Sequence, residues 1–290
     1  MTVLEAIQKS AEFLTKKGVD SARLQSELLL AHQLKLPRMK LYLNFDRLLT
    51  PTETDGLRDL VKRRSTREPL QHIIGSTSFC GHEIVVSRHA LIPRPETELL
   101  AELGWQFLST INAQPSTVLD FGTGTGCIAI ALAAKCPNAK VTALDISPEA
   151  LALAKQNALQ NQVTERIEFL EGDGFAALPV KEKFDLIVSN PPYIASAEIE
   201  TLDPEVKDFD PRTALDGGAD GLDFYRRLAQ KAGAFLKPGG KIMVEFGDGQ
   251  ADAIRNIFET EKWIVEAVKE DYSQRARILI AKSSSPSSSK

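Results

Sequence analysis

The segment 116–126 constrains this chain more than any other. It reads STVLDF, then Gly122-Thr123-Gly124-Thr125-Gly126, and it opens onto the alanine-rich run IAIALAAKC. Thr117, Val118, Leu119 and Phe121 in this run predict a strand. Glycine at alternate positions permits positive φ and lets the backbone approach a ligand closely. The helix that follows directs its free N–H groups to the same place. The alternation continues downstream. KVTALD (140–145) precedes Pro148 and a helix to about Gln160, and RIEFLE (166–171) and FDLIVS (184–189) are further strands. A helix over 222–236 leads to KIMVEF (241–246), and 263–268 and 276–281 complete the set. Strands alternating with helices require a mainly parallel sheet covered on both faces, so the expected class is α/β, seven-stranded and Rossmann-like.

The first 75 residues have another period. Val3, Leu4, Ile7, Ala11 and Leu14 recur at helical spacing up to Gly18, and a second stripe runs from Ala22 to Leu30 before Pro37. A third helix starts at Thr50 as N-cap, with Pro51 at its first turn and Glu53 three residues on. It ends in Lys62-Arg63-Arg64, which reads as a solvated helix end whose dipole favours cations. The expected division is a small helical bundle over 1–75, a hairpin around Gly81 and a proline-stiffened linker over 76–95, the α/β domain over 96–282, and a disordered serine-rich tail over 283–290.

Composition excludes several classes. The net charge of −4 argues against a protein that holds nucleic acid mainly by charge. No window reaches the roughly 18–20 apolar residues of a membrane span, and the first residues lack the apolar block of a signal peptide. Cys80, Cys127 and Cys136 are odd in number and widely spaced, which fits small apolar roles in a reducing compartment, the cytoplasm. No cluster has metal-ligand spacing, so no metal is expected.

Asp145 ends the strand after the glycine turn, where a carboxylate can accept two hydrogen bonds from a ribose diol. Together with the glycines, it predicts a site for an adenosine-containing cofactor. The spacing is Gly-x-Gly-x-Gly rather than the dinucleotide Gly-x-Gly-x-x-Gly, and Asp120 precedes it. A carboxylate there repels a pyrophosphate and suits the cationic amino group of a methionine moiety, which favours S-adenosyl-L-methionine over NAD. By position, Asp173 can accept from an adenine amino group and Phe175 can stack on the ring. The same residues also fit an ordinary turn with a core phenylalanine.

Asn190-Pro191-Pro192-Tyr193 closes the strand FDLIVS. The two prolines fix φ and hold the Asn190 and Pro191 carbonyls stiffly. The Asn190 side chain adds an acceptor, and Tyr193 adds a flat face. Two acceptors can grip both hydrogens of a planar –NH2 and aim its lone pair at an electrophilic carbon. The nitrogen of an amide or aromatic amine is a poor nucleophile, so acceptors placed where charge develops, together with orientation, supply the catalysis.

With these motifs in order, the chain resembles the HemK-type protein-(glutamine-N5) methyltransferases of class-1 peptide chain release factors. The resemblance rests on the helical N-terminal segment, Ile92-Pro93-Arg94-Pro95-Glu96-Thr97-Glu98, the DFGTGTG turn, Asp145 and NPPYI, and it covers all but the serine tail. It implies a methyltransferase sheet joined to a helical bundle that helps recognise a release factor. It also implies cofactor contacts from Gly122, Thr123, Gly124, Thr125, Gly126 and Asp145. Asn190, Pro191, Pro192 and Tyr193 would hold the substrate glutamine amide, with Asn190 also bordering the cofactor. A monomer is expected, with no stable nucleic-acid partner and no membrane. Gly174 departs from the pattern, since relatives often carry a bulky apolar residue there. Either Phe175 takes over the adenine contact or the pocket is more open. The segment 208–227 also resembles the family, and its glycines at 217, 218 and 221 suggest a mobile loop. It reads either as a lid with Asp210 and Arg212 facing the site or as a surface loop.

Asn-Pro-Pro-Tyr is shared with enzymes that methylate exocyclic amino groups of adenine, cytosine or guanine in DNA or RNA, which is the competing reading. The acidic balance and the lack of a basic recognition domain count against it. A non-catalytic cofactor-binding module fits poorly with an intact acceptor turn, and an NAD-dependent oxidoreductase lacks a placed proton relay.

Overall fold

The computed structural model describes residues 1–111 and 115–284. They form two compact units, 1–76 with 203–209, and the described part of 77–202 with 210–284. The tail from 285 onward lies outside the described residues, whereas Ser283 ends a strand.

The first unit is helical. It comprises α1 (Val3–Lys16), α2 (Ala22–Leu34), α3 (Arg38–Tyr42), α4 (Pro51–Ser65) and α5 (Leu70–Ile74). α1 and α4 both begin with capping boxes. In α4 the Thr50 hydroxyl accepts from Glu53 N at 3.2 Å, and Glu53 accepts from Thr50 N at 2.9 Å. Val3, Ile7, Leu14, Leu29, Leu30, Leu41 and Leu57 form the core. The basic end of α4 differs from the solvated end expected. Arg64 is buried, donating to Gln25 at 2.5 Å, to the Glu68 carbonyl at 3.2 Å and to Glu205 at 2.7 Å. A buried guanidinium requires such partners, and here one comes from the distant segment 203–209.

The second unit holds a hairpin, β1 (Ser76–Phe79) and β2 (His82–Val85), turned by Cys80 and Gly81, both at positive φ. Then follow α6 (Thr97–Thr110), β3 (Ser116–Phe121), α7 (Cys127–Lys135), β4 (Ala139–Asp145), α8 (Pro148–Gln160), β5 (Ile167–Glu171) and β6 (Phe184–Ser189). The order ends with α9 (Asp223–Lys231), β7 (Leu236–Glu245), α10 (Ala251–Thr260), β8 (Trp263–Glu270) and β9 (Ala276–Ser283). The helix expected over 222–236 is therefore shorter, because a 3-10 turn at Ala232–Phe235 leads into β7.

The seven strands lie in the order β5-β4-β3-β6-β7-β9-β8, parallel up to β7 and antiparallel at β9 and β8. Strand side chains alternate between faces, and these strands are apolar at both phases. Val118, Leu186, Val188 and Met243 pack under α6 and α7, while Leu119, Ile187, Ile242 and Val244 pack with α9 and α10. The strand order reverses between β3, which pairs with β4, and β6, which pairs with β7. The C-terminal ends of β3 and β6 therefore lie side by side, where ligands bind in open α/β sheets. The Ser189 hydroxyl donates to the Phe121 carbonyl at 2.7 Å and ties those two ends together. No helix among the described residues is long and apolar enough to cross a membrane.

Candidate active site

The glycine turn leaves β3 with Gly122, Gly124 and Gly126 at φ of 75°, 56° and 80°. A side chain at Gly122 would have open space, so backbone conformation alone demands glycine there. At Gly126 a Cβ would meet the Ala154 Cβ at 3.0 Å, so close helix packing adds a second reason. Gly122 N and Thr123 N both donate to the Leu144 carbonyl at 2.9 Å, and Asp145 accepts from Gly124 N at 2.8 Å and from Ser147 N at 3.0 Å. Each Asp145 oxygen keeps a further lone pair. The Thr125 carbonyl accepts from Asn157 Nδ2 at 3.0 Å, and Asn157 also bonds both polar groups of Val85. Asn157 thus fastens the glycine turn and the hairpin to α8. Sequence reasoning passed over it, although its signal was a polar residue on the apolar stripe Ala150, Leu153, Ala154 and Ala158.

Asp120 is fully buried below the turn. Its Oδ2 accepts from the Thr123 hydroxyl at 2.6 Å and from Ala129 N at 3.1 Å, while Oδ1 has no partner among the described residues. Burial pushes its pKa up to about 7 against the pull of those hydrogen bonds. A glycine cradle beside a buried, half-satisfied carboxylate suits a ligand that brings a cationic donor.

The segment after β5 departs from one reading of the sequence. Phe175 is buried and packs on Phe121 at 4.9 Å and Phe235 at 5.1 Å between ring centroids. Its ring belongs to the core and offers no open face for an adenine. Asp173 is exposed, and its carboxylate is engaged by Arg227 at 2.8 Å. Gly174 sits at φ 61°, where a Cβ would meet the Phe121 ring at 3.1 Å, so the small residue relieves that contact.

Asn190 follows β6. Its Nδ2 donates to the Thr97 hydroxyl at 3.1 Å, and its Oδ1 is buried without a partner among the described residues. Tyr193 packs against Gly247, where a Cβ would lie 3.0 Å from the ring, and its carbonyl accepts from Gln250 Nε2 at 2.9 Å. Burial raises the Tyr193 phenol above its ordinary pKa and keeps it neutral. The segment 92–98 is a bracket. Arg94 pairs with buried Asp210 at 2.7 Å, Thr97 meets Asn190, and Glu98 accepts from Cys80 N at 2.8 Å. Ile92, which the sequence placed in a linker, is buried within this unit.

The glycines at 217, 218 and 221 stand where the surroundings leave little room for a side chain. A Cβ would come within 2.8 Å of the Gly221 carbonyl oxygen at Gly217, 2.0 Å of the Asp223 carboxylate at Gly218, and 2.4 Å of the Tyr193 carbonyl oxygen at Gly221. Their segment is tied to the residues after Tyr193 by Ile194 N to the Leu215 carbonyl at 3.0 Å and Gly217 N to the Ile194 carbonyl at 2.8 Å. Arg212 is exposed and pairs with Glu200 at 3.3 Å and Asp216 at 3.4 Å, rather than facing the site as the lid reading required. Asp210 is buried, held by Arg94 and by Ile92 N.

Comparison with known proteins identifies the family. Residues 5–75 match a family described as the PrmC N-terminal domain, and residues 103–203 match the methyltransferase small domain. A release factor glutamine methyltransferase of Geobacter sulfurreducens is 46% identical over 89% of this chain and 88% of its own length. One from Chlorobaculum tepidum is 40% identical over 96% of each. The crystal structure of a methyltransferase from Pyrococcus furiosus matches 69% of this chain and 88% of its own with a TM-score of 0.51 at 22% identity, a likeness of fold alone. With that identity spread across both units, the chain belongs to the release factor glutamine methyltransferase family.

Proposed function

We propose that the chain transfers a methyl group from S-adenosyl-L-methionine to the side-chain amide nitrogen, N5, of the glutamine in the Gly-Gly-Gln motif of peptide chain release factors. Asn190 Oδ1, a buried acceptor without a partner beside the glycine turn, is the observation that carries this reading. The cofactor, when bound, supplies a methyl carbon made electrophilic by its sulfonium. The glycines of 122–126 would let the backbone close on it and the remaining lone pairs of Asp145 would hold its hydroxyls, with Asp120 Oδ1 as acceptor for its ammonium. Phe175 and Asp173 are left out of this set.

Asn190 Oδ1 accepts one N–H of the glutamine amide and the Pro191 carbonyl accepts the other, while Pro192 stiffens the turn and Tyr193 covers a face of the planar group. As nitrogen attacks, positive charge grows on it, and acceptors already in place stabilise that charge without reorganising. Holding both hydrogens also turns the lone pair toward the methyl carbon. The helical unit takes part in recognising the release factor. It carries a groove between α1, α2 and α3 in which buried Glu27 is held by Arg38 at 3.1 Å and the Tyr42 hydroxyl at 2.8 Å, with Leu24 and Tyr42 exposed at its rim. The enzyme works as a monomer, and its free thiols fit the cytoplasm.

The test is mass mapping of a release factor after incubation with enzyme and cofactor. A gain of one CH2 on the glutamine of Gly-Gly-Gln is the expected result. Incorporation of labelled methyl into DNA or ribosomal RNA, with none into the release factor, would overturn the reading.

A further inference from the structure

The two ends of an asparagine amide are nearly equal in size, and half a turn about its last bond exchanges them. Only one of the two orientations turns an oxygen toward a substrate –NH2. The other turns a donor toward donors. A pocket that depends on Asn190 Oδ1 therefore needs something to choose between them.

Thr97 Oγ1 lies 3.1 Å from Asn190 Nδ2, and Thr97 is buried. A hydroxyl has one proton and can face an amide as donor or as acceptor. Its other neighbour decides which. Glu245 ends β7, the strand beside β6, and the register Ser189 to Val244 brings it next to Asn190 at the sheet edge. Glu245 is buried, the Thr97 hydroxyl favours its charged form, and its Oε2 has no partner among the described residues. An ionised carboxylate has lone pairs and no proton, so it can only receive the Thr97 proton. Thr97 then presents a lone pair to Asn190, which only Nδ2 can meet.

We propose that Thr97 and Glu245 are positioning residues that lock the Asn190 amide with Oδ1 toward the substrate. The proposal rests on the reading of Asn190 as acceptor for the glutamine amide. It gives the threonine of Arg94-Pro95-Glu96-Thr97-Glu98 a task in the reaction, distinct from the structural tasks of Arg94 and Glu98.

The lock depends on charge. Burial pushes Glu245 up to about 7, and Glu96 acts in the same direction, while Thr97, Arg277 and Arg94 pull down. The Tyr193 and Tyr225 phenols also face it and are themselves raised. Once protonated, Glu245 can donate to Thr97, and the choice of amide orientation is lost. Turnover at saturating cofactor therefore falls as pH drops below about 7.

The experiment compares Thr97→Val, Thr97→Ser and Glu245→Gln in the full-length protein. Removing the hydroxyl in Thr97→Val is expected to lower kcat about 10- to 100-fold, with S-adenosyl-L-methionine affinity by calorimetry changed less than about 3-fold. Thr97→Ser restores kcat to within about 3-fold of the parent. Glu245→Gln, which does not titrate and whose amide can face Thr97 with either end, holds kcat near the level the parent reaches in acid and shows no further fall at low pH. The second readout needs no release factor. With 15N-labelled asparagine, the Asn190 side-chain NH2 pair, identified by its loss in Asn190→Asp, exchanges slowly with water in the parent and in Thr97→Ser, and rapidly in Thr97→Val. Slow exchange in the parent without methylation of a release factor would support the lock while removing the substrate reading. Unchanged kcat and unchanged NH2 exchange in Thr97→Val would overturn the lock, and an acid limb that persists in Glu245→Gln would remove Glu245 from it.

Discussion

The turns that end β3 and β6 lie side by side and solve opposite problems. The first is made of glycines at positive φ, so backbone can come close to a ligand while nearby carboxylates stay within reach. The second is made of prolines, so two acceptors stand still. Beside each, one buried oxygen has no partner among the described residues, Asp120 Oδ1 at the first and Asn190 Oδ1 at the second. A native interior seldom leaves such atoms unmatched, and both point to a ligand that brings the donors. The contrast separates binding from chemistry. On the function proposed above, removing a feature of the glycine turn should change cofactor affinity, and removing one of the proline turn should change rate.

Asn190→Ala is the strongest way to break that separation. It should lower kcat by about 10²–10³ while leaving S-adenosyl-L-methionine affinity within about 3-fold, measured by steady-state kinetics and calorimetry. A matching loss of affinity would merge the two turns into one function. Phe175→Ala tests whether the ring between Phe121 and Phe235 is core. It should cost about 3–5 kcal/mol in denaturant unfolding, with cofactor affinity preserved in the folded fraction. Gly122→Val keeps open space but forces a β-branched residue to positive φ at a cost of about 1–3 kcal/mol, and calorimetry should show weaker cofactor binding with kcat at saturation little changed. Asp120 sharpens the comparison by titration. Its folded pKa of about 7 exceeds the ordinary 3.8, so the folded chain keeps a proton that the unfolded chain has lost. Its contribution to stability is full below about 3.8 and is lost as pH rises to about 7, and Asp120→Asn should remove that part of the slope in unfolding measured against pH. The smallest effect belongs to Arg212→Ala. As an exposed ion pair away from either turn, it should shift stability by less than about 0.5 kcal/mol and leave kcat/KM unchanged.

The legible parts of the molecule were those set by neighbours in the chain. All seven strands of the main sheet could be read because the inner runs are largely apolar at both phases and the edge runs β5 and β8 still carry apolar residues at alternate positions. The α4 capping box could be read because Thr50, Pro51 and Glu53 act within one turn. The short helices α3 and α5 were missed, since five residues after Pro37 and Pro69 carry too little periodicity to register. Lys62-Arg63-Arg64 misled because Arg64 finds Glu205 more than a hundred residues away, and no local pattern announces that. Phe175 fitted a stacking platform until the fold brought Phe235 against it. The glycines at 217, 218 and 221 suggested motion, yet packing of that segment needs their missing side chains.

By itself the sequence determined the class of fold, the two kinds of turn and the residue types placed in them, because backbone freedom and hydrophobic period are properties of neighbouring residues. Tertiary structure alone decided that the ends of β3 and β6 meet, that Asn157 grips the glycine turn, and that Thr97 meets Asn190. Those contacts join residues 32 to 93 positions apart, counted from Thr125–Asn157 and Thr97–Asn190. The order of strands in the sheet brings them together, and a single chain read from end to end does not reveal that order.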